Sequence, residues 1–235
     1  MSFASPEFWI ALLQIIMINI VLSGDNAVVI ALASRSLPPA QQKKAIMFGS
    51  VGAIVLRLVL TFFAVMLLAQ PYLKLIGAAL LLWIGVGLLK GADEDGDLKA
   101  HSNLAAAIKT IIVADLVMSL DNVIGVAAAA KGNVVLLVTG LVISIPLIIY
   151  GSTMILKLMG RFPVIITIGA ALLGWVAGEM AVSDPAVTAW MASHPTGHLL
   201  APAVGAVLVV MIGKWLQGRT ADAEVPASTA EQAAG

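Results

Sequence analysis

The chain contains no cysteine, which removes a disulfide framework, a thiolate metal site and a cysteine nucleophile together. It also leaves the redox compartment unmarked. Charge is scarce: 11% of the 235 residues are Asp, Glu, Lys or Arg, against about 25% in soluble domains. Net charge is zero, so no basic face is available to neutralise phosphates and nucleic acid is not expected as a partner. Histidine is rare too. His101, His194 and His198 all fall between apolar runs, so nothing suggests a nitrogen-rich metal site. The first residues, Met1 to Glu7, lack the basic stretch of a cleaved signal peptide, and the first apolar run is expected to be retained as a span.

What the chain has in abundance is hydrocarbon: 60% hydrophobic residues and a mean hydropathy of +1.03. A bilayer core needs about 20 apolar helical residues. Seven runs reach that length, about 8–33, 45–69, 72–90, 104–130, 134–157, 163–183 and 199–217. Nothing alternates with period two, which argues against barrel strands. The expectation is an all-α polytopic membrane protein with one transport domain over 1–217. Residues 91–103 read as an acidic linker and 218–235 as a disordered tail. Lys and Arg set the orientation. Ten lie in the loops after spans 1, 3 and 5 and at the C-terminal end, while only Lys74 and Lys131 lie opposite, with Arg57 set aside as intramembrane. The N-terminus is therefore expected outside a bacterial inner membrane and the C-terminus in the cytoplasm.

Spans 1–3 return as spans 4–6. Ile76-Gly-Ala-Ala-Leu-Leu-Leu-Trp83 reappears as Ile168-Gly-Ala-Ala-Leu-Leu-Gly-Trp175, and Pro71 falls on Pro163. Ser23-Gly24-Asp25-Asn26 reappears as Ser119-Leu120-Asp121-Asn122, with Asn19 falling on Asp115. The copies are taken as about 8–90 and 104–183, followed by a seventh span. A repeat of three spans re-enters from the other side, so the copies are inverted, and such transporters bind substrate near the midplane. Similarity among Ala/Leu/Gly helices alone would be trivial; the matched polar positions are not.

Positions i, i+4 and i+7 share a helix face. Asn19, Ser23 and Asn26 form such a row in span 1, and Asp115, Ser119 and Asn122 form it in span 4. Asp25 and Asp121 stand about 100° off the row and join it if the helix unwinds, for which Gly24 is better suited than Leu120. A charge at the bilayer centre costs at least about 2.5–3.5 kcal/mol. Arg57 neutralises one acid, as a staple or a gate, and Glu179 in span 6 adds a fourth acid. The surplus negative charge and oxygen-only ligands suit Mg²⁺, Ca²⁺ or Mn²⁺ rather than softer ions. The proposed ligands are Asp25, Asn26, Asp121, Asn122, Ser23, Ser119 and Asp115, with Glu179, Asn19 and Arg57 as proton-coupling or supporting groups. Met17, Met118 and Met180 read as core. No cofactor is expected beyond the transported ion.

The paired Ser-x-Asp-Asn motifs in spans 1 and 4, with Trp175-Val-Ala-Gly-Glu-Met180 in span 6, resemble the TerC (tellurium-resistance) family, nearest its shorter YjbE-type branch, over about residues 8–217. The family is grouped with LysE-type exporters and its members are implicated in manganese efflux. The resemblance implies a Mn²⁺ exporter with Asp25, Asn26, Asp121 and Asn122 as its motif positions. The roles of Asp115 and Glu179 rest on the charge argument. Proton antiport fits buried acids. Rival readings are a Ca²⁺/H⁺ exchanger, an intramembrane aspartyl protease and a scaffold for tellurite or envelope-stress resistance. The protease lacks a Gly-x-Gly-Asp signature, and no enzyme activity is expected. The sequence leaves the oligomeric state open, a homo-oligomer included.

Overall fold

The computed structural model describes residues 6–21, 24–68, 70–90, 104–130 and 133–232. Ser23, the acidic 91–103 stretch and Lys131 lie outside the described residues, as do the side chains of Asn19 and Asp121 and all side chains beyond Arg219. Among the described residues every regular element is a helix: α1 (Pro6–Val21), α2 (Gly24–Ser34), α3 (Pro39–Leu68), α4 (Leu73–Lys90), α5 (Leu104–Ala130), α6 (Val134–Arg161), α7 (Val164–Val182), α8 (Pro185–Ala192) and α9 (Gly197–Gln232). Five stretches are long and apolar enough to cross a membrane: Pro39–Phe63, Leu73–Lys90, Val134–Arg161, Val164–Val182 and Gly197–Arg219. Within the expected first span the described residues form two apolar helices, α1 and α2, on either side of residues 22 and 23, which lie outside the description. The expected fourth is the continuous α5. Helical backbone extends to Gln232, into the stretch read from composition as a tail.

Large apolar side chains cover the outside, with Trp9, Phe62, Trp83 and Trp215 each more than half exposed. A surface of this kind over most of the helices calls for hydrocarbon around it rather than water. Inside, α3 packs on α5, α6 packs on both α1 and α2, and α4 packs on α7, with α9 closing over α7 and α4. The α7–α9 crossing depends on small residues. A Cβ added at Gly174 or Gly178 would collide with the backbone of Gly205 or Ala201, so close van der Waals packing holds these helices where the hydrophobic effect is weak.

Both ends of α4 are tied down by side chains from elsewhere. Asp184 accepts hydrogen bonds from the backbone N–H groups of Tyr72, Lys74 and Leu75 at 2.9, 3.0 and 3.3 Å, and from Ala186 N–H at 2.8 Å, so one carboxylate caps α4 and α8 together. Tyr72 holds a positive φ of 68° at this junction. Burial opposes the charge on Asp184, yet the four N–H donors outweigh it and hold the carboxyl below the usual aspartate range. At the other end Arg35 Nη2 donates to the Leu88 carbonyl at 2.8 Å and Gln217 Nε2 to that of Leu89 at 2.6 Å. An anion at the N-terminus and a cation at the C-terminus match the helix dipole.

Candidate ion site at the α2, α3 and α5 junction

Residues three and four apart on a helix are neighbours, which puts Asp115 and Ser119 of α5 on one face toward α3. That face meets Arg57, which α3 carries in its interior with only 1% of its surface exposed. Arg57 Nη2 lies 2.6 Å from Asp115 Oδ1, and Arg57 Nε donates to Ser119 Oγ at 2.9 Å. Ser119 Oγ in turn donates to Asp115 Oδ2 at 3.1 Å, closing a ring of three side chains. Behind it, Thr61 Oγ1 donates to the Arg57 carbonyl at 2.7 Å. Such a pair gains little over an apolar substitute, but removing one partner leaves a buried charge and costs about 3–5 kcal/mol.

The first motif reaches the same place from α2. Asp25 stands in the first turn of that helix, half-buried, with one oxygen accepting from Asn26 N–H at 2.9 Å. It lies within electrostatic reach of both Arg57 and Asp115. Asn26 is buried, and α2 packs on α5. The carboxylate of the first motif therefore shares one neighbourhood with Arg57 of its own repeat and Asp115 of the second, although Asp25 and Asp115 are 90 residues apart in sequence.

The predicted residues divide as follows. Asp25, Asn26, Arg57, Asp115 and Ser119 come together, and Asn122 follows Ser119 on the same face of α5, half-buried. Ser23 and the side chains of Asn19 and Asp121 lie outside the described residues. Glu179 stands apart: it is exposed on α7 and accepts from Trp175 Nε1 at 2.8 Å. Among the described residues no three His, Asp or Glu side chains converge as metal ligands. Asp115 and Ser119, expected as ion ligands, are engaged with Arg57. Sequence reasoning passed over Thr61, Gln217 and Asp184. Only Asp184 carried a signal, because Asp followed by Pro is a helix start with the cap before the first helical residue.

The comparisons identify the family. The pattern of the integral membrane protein TerC family matches residues 4–221. YjbE of Bacillus subtilis (strain 168), an uncharacterized membrane protein, is 42% identical over 211 residues, 90% of this chain and 97% of its own. YceF of the same strain, also uncharacterized, is 26% identical over 189 residues, 76% of this chain and 73% of its own. YgdQ of Escherichia coli (strain K12), described as a UPF0053 inner membrane protein, is 27% identical over 176 residues, 67% of this chain and 74% of its own. No solved structure matches the chain significantly. With the family pattern spanning nearly its whole length, the chain belongs to the integral membrane protein TerC family.

Proposed function

We propose that the chain exports a divalent cation, Mn²⁺ before Ca²⁺, across the bacterial inner membrane, binding it near the midplane through Asp25, Asn26, Asp121 and Asn122. The observation that carries this reading is the half-buried Asp25 at the start of α2, within electrostatic reach of the buried Arg57–Asp115 pair. Arg57 satisfies Asp115, which leaves Asp25 as the neighbouring described carboxylate for an ion, with Asp121 paired to it by repeat position.

The seven-span inverted repeat, with α1 and α2 as one span, has its own support. Exchanging spans 1–3 with 4–6 turns the packing of α3 on α5 into that of α6 on α1 and α2, and both occur. Ile15 and Ile111 are 96 residues apart, as the two motifs are, and Gly140 and Gly49 are 91 apart. The space a side chain would need at Gly49 is taken by Ile111, and that at Gly140 by Ile15. Thr61 and Ser152, also 91 apart, each bond the carbonyl four residues back. The inner-membrane assignment follows the Lys/Arg distribution and the description of YgdQ. Kinship with LysE-type exporters is part of the same reading. Proton exchange at Asp115, or at Glu179 outside the cluster, would make the export an antiport.

The test is transport in proteoliposomes under a pH gradient, comparing Mn²⁺, Ca²⁺ and Mg²⁺. Mn²⁺ flux in the wild type that disappears in both Asp25→Asn and Asp121→Asn is expected. Flux that survives both substitutions would return the motif acids to a structural role. A wild type that moves no ion would favour a scaffold.

A further inference from the structure

A cavity of about 580 Å³ opens between the α2–α3 turn, α6 and the start of α7. Its polar wall carries Arg35, Lys43 and Lys157, with Gln42, Ser36 and Thr153 between them, and no carboxylate lines it among the described residues. Its deeper wall is apolar, with Ile46 and Met159 buried. Arg35 is braced by its bond to the Leu88 carbonyl. Lys43 and Lys157 are exposed and form no ion pair among the described residues. The helix ends in the wall offset one another, α2 and α6 finishing where α3 and α7 begin, so the balance rests on the side chains, and the described ones in the wall that carry charge are all cations.

We propose that this cavity binds a phosphate-bearing anion, and that its source is the headgroup of an anionic phospholipid. A pocket lined by three cations repels a divalent metal, so it stands apart from the export site proposed above. Basic pockets between membrane helices are suited to phosphorylated headgroups, with a contribution from each Lys or Arg near the surface. The apolar floor favours a lipid over free phosphate, since it offers surface for an acyl chain. The Lys/Arg excess that orients the chain does not by itself explain the cavity. Arg35 has a cation, Lys131, at its matching position, but the residues 91 positions from the others, Phe62 for Thr153, Met66 for Lys157 and Val134 for Lys43, are apolar and exposed. The charge is concentrated where a cavity exists to receive an anion.

The experiment titrates the purified full chain in detergent by native mass spectrometry with dioctanoyl phosphatidylglycerol, dioctanoyl phosphatidylcholine and inorganic phosphate as separate probes. Phosphatidylglycerol is expected to bind at least about tenfold more tightly than phosphatidylcholine, since the pocket adds several cation contacts. Lys43→Ala and Lys157→Ala should each weaken phosphatidylglycerol about fivefold and leave phosphatidylcholine unchanged. Lys157→Arg should keep the affinity, and Lys44→Ala, next to the cavity but not lining it, should not alter it. Equal binding of the two lipids, or lysine variants indistinguishable from wild type, would overturn the proposal. Displacement of the lipid by inorganic phosphate at matched concentration would overturn the lipid source and keep the anion site. All of these substitutions are on exposed residues, so folding is not at stake, and Mn²⁺ flux is read separately.

Discussion

The two copies of the Ser-x-Asp-Asn motif share three of their four residues and differ in what surrounds them. Of the first, Gly24, Asp25 and Asn26 stand in α2, and Ser23 lies outside the described residues. The second lies within the unbroken α5, where Leu120 stands in place of glycine and is buried. The supporting residues differ too. Asp115 replaces Asn19, and Arg57 on α3 occupies the position that Ile148 holds on α6, 91 residues later. The ion pair thus bridges the repeats, Arg57 coming from the first and Asp115 from the second, while the matching positions hold an amide, Asn19, and an alkyl chain, Ile148. The helix of the second motif, α5, is stapled to α3 by this pair, whereas Asp25 on α2 forms no ion pair among the described residues.

The largest stability effect is expected at the staple. Asp115→Ala leaves Arg57 charged and buried, at a cost of about 3–5 kcal/mol. Asp25→Ala, whose loss chiefly forgoes an interaction with the start of α2, should cost about 0.3–1 kcal/mol. Thermal unfolding in one detergent compares them directly, and equal losses would remove the distinction between the two helices. The double variant Arg57→Met with Asp115→Leu should recover most of the loss, since buried pairs can be replaced by apolar residues with little penalty.

A second pair of ends sharpens the comparison away from the membrane core. Asp184 follows the second repeat and caps the third helix of the first. Asp184→Ala removes a cap and leaves N–H groups of α4 and α8 without a partner, for about 1–2 kcal/mol. The pH dependence has a definite sign. The folded carboxyl titrates below its unfolded value, so its contribution is fully present above the ordinary aspartate range and is lost as pH falls through the folded pKa. Wild type should therefore lose stability toward low pH more steeply than Asp184→Asn. Parallel acid limbs in the two proteins would show that the cap does not bear on the fold.

Much of this arrangement was legible from residue order. The apolar runs and their breakers located the helices, because hydrocarbon thickness fixes span length. The Ser119–Asn122 row fell on a buried face because helical period is fixed. The partner of Arg57 was not legible: positions 57 and 115 meet through the rotation of α3 against α5, which no local pattern records. Glu179, included by its charge alone, is exposed on α7 and bonded to Trp175. Its neighbour Trp175, four residues back, was the available sign that an outward pair would form. The basic cavity was equally hidden, since its three cations come from separate stretches and look individually like loop charges.

Making the copies alike from the second side gives a smaller effect. Leu120→Gly gives α5 the Ser-Gly-Asp-Asn sequence and costs about 1 kcal/mol in helix propensity, with a further loss for the buried side chain. If an interrupted helix is what the first copy contributes, this variant keeps at least part of its Mn²⁺ flux. Complete loss of flux from a folded protein would mean that continuity of α5 is itself required.

The smallest stability change and the most informative result come from the reverse substitution. Gly24 is exposed, and a Cβ placed there meets nothing within 4 Å. The first carbon of Gly24→Leu therefore meets no described atom, and the substitution exchanges a poor helix former for a good one, so stability should stay level or rise by up to about 1 kcal/mol. Transport should move the other way. Raising helix propensity at position 24 opposes the local unwinding that would bring Asp25 onto the Asn19–Asn26 row, from which an unbroken helix holds it about 100° away. Mn²⁺ flux is then expected to fall by at least about tenfold while the melting temperature holds, as when binding energy is lost without loss of fold. Unchanged flux in Gly24→Leu would mean that the ion is held without backbone irregularity, and that the difference between the two motifs is packing alone.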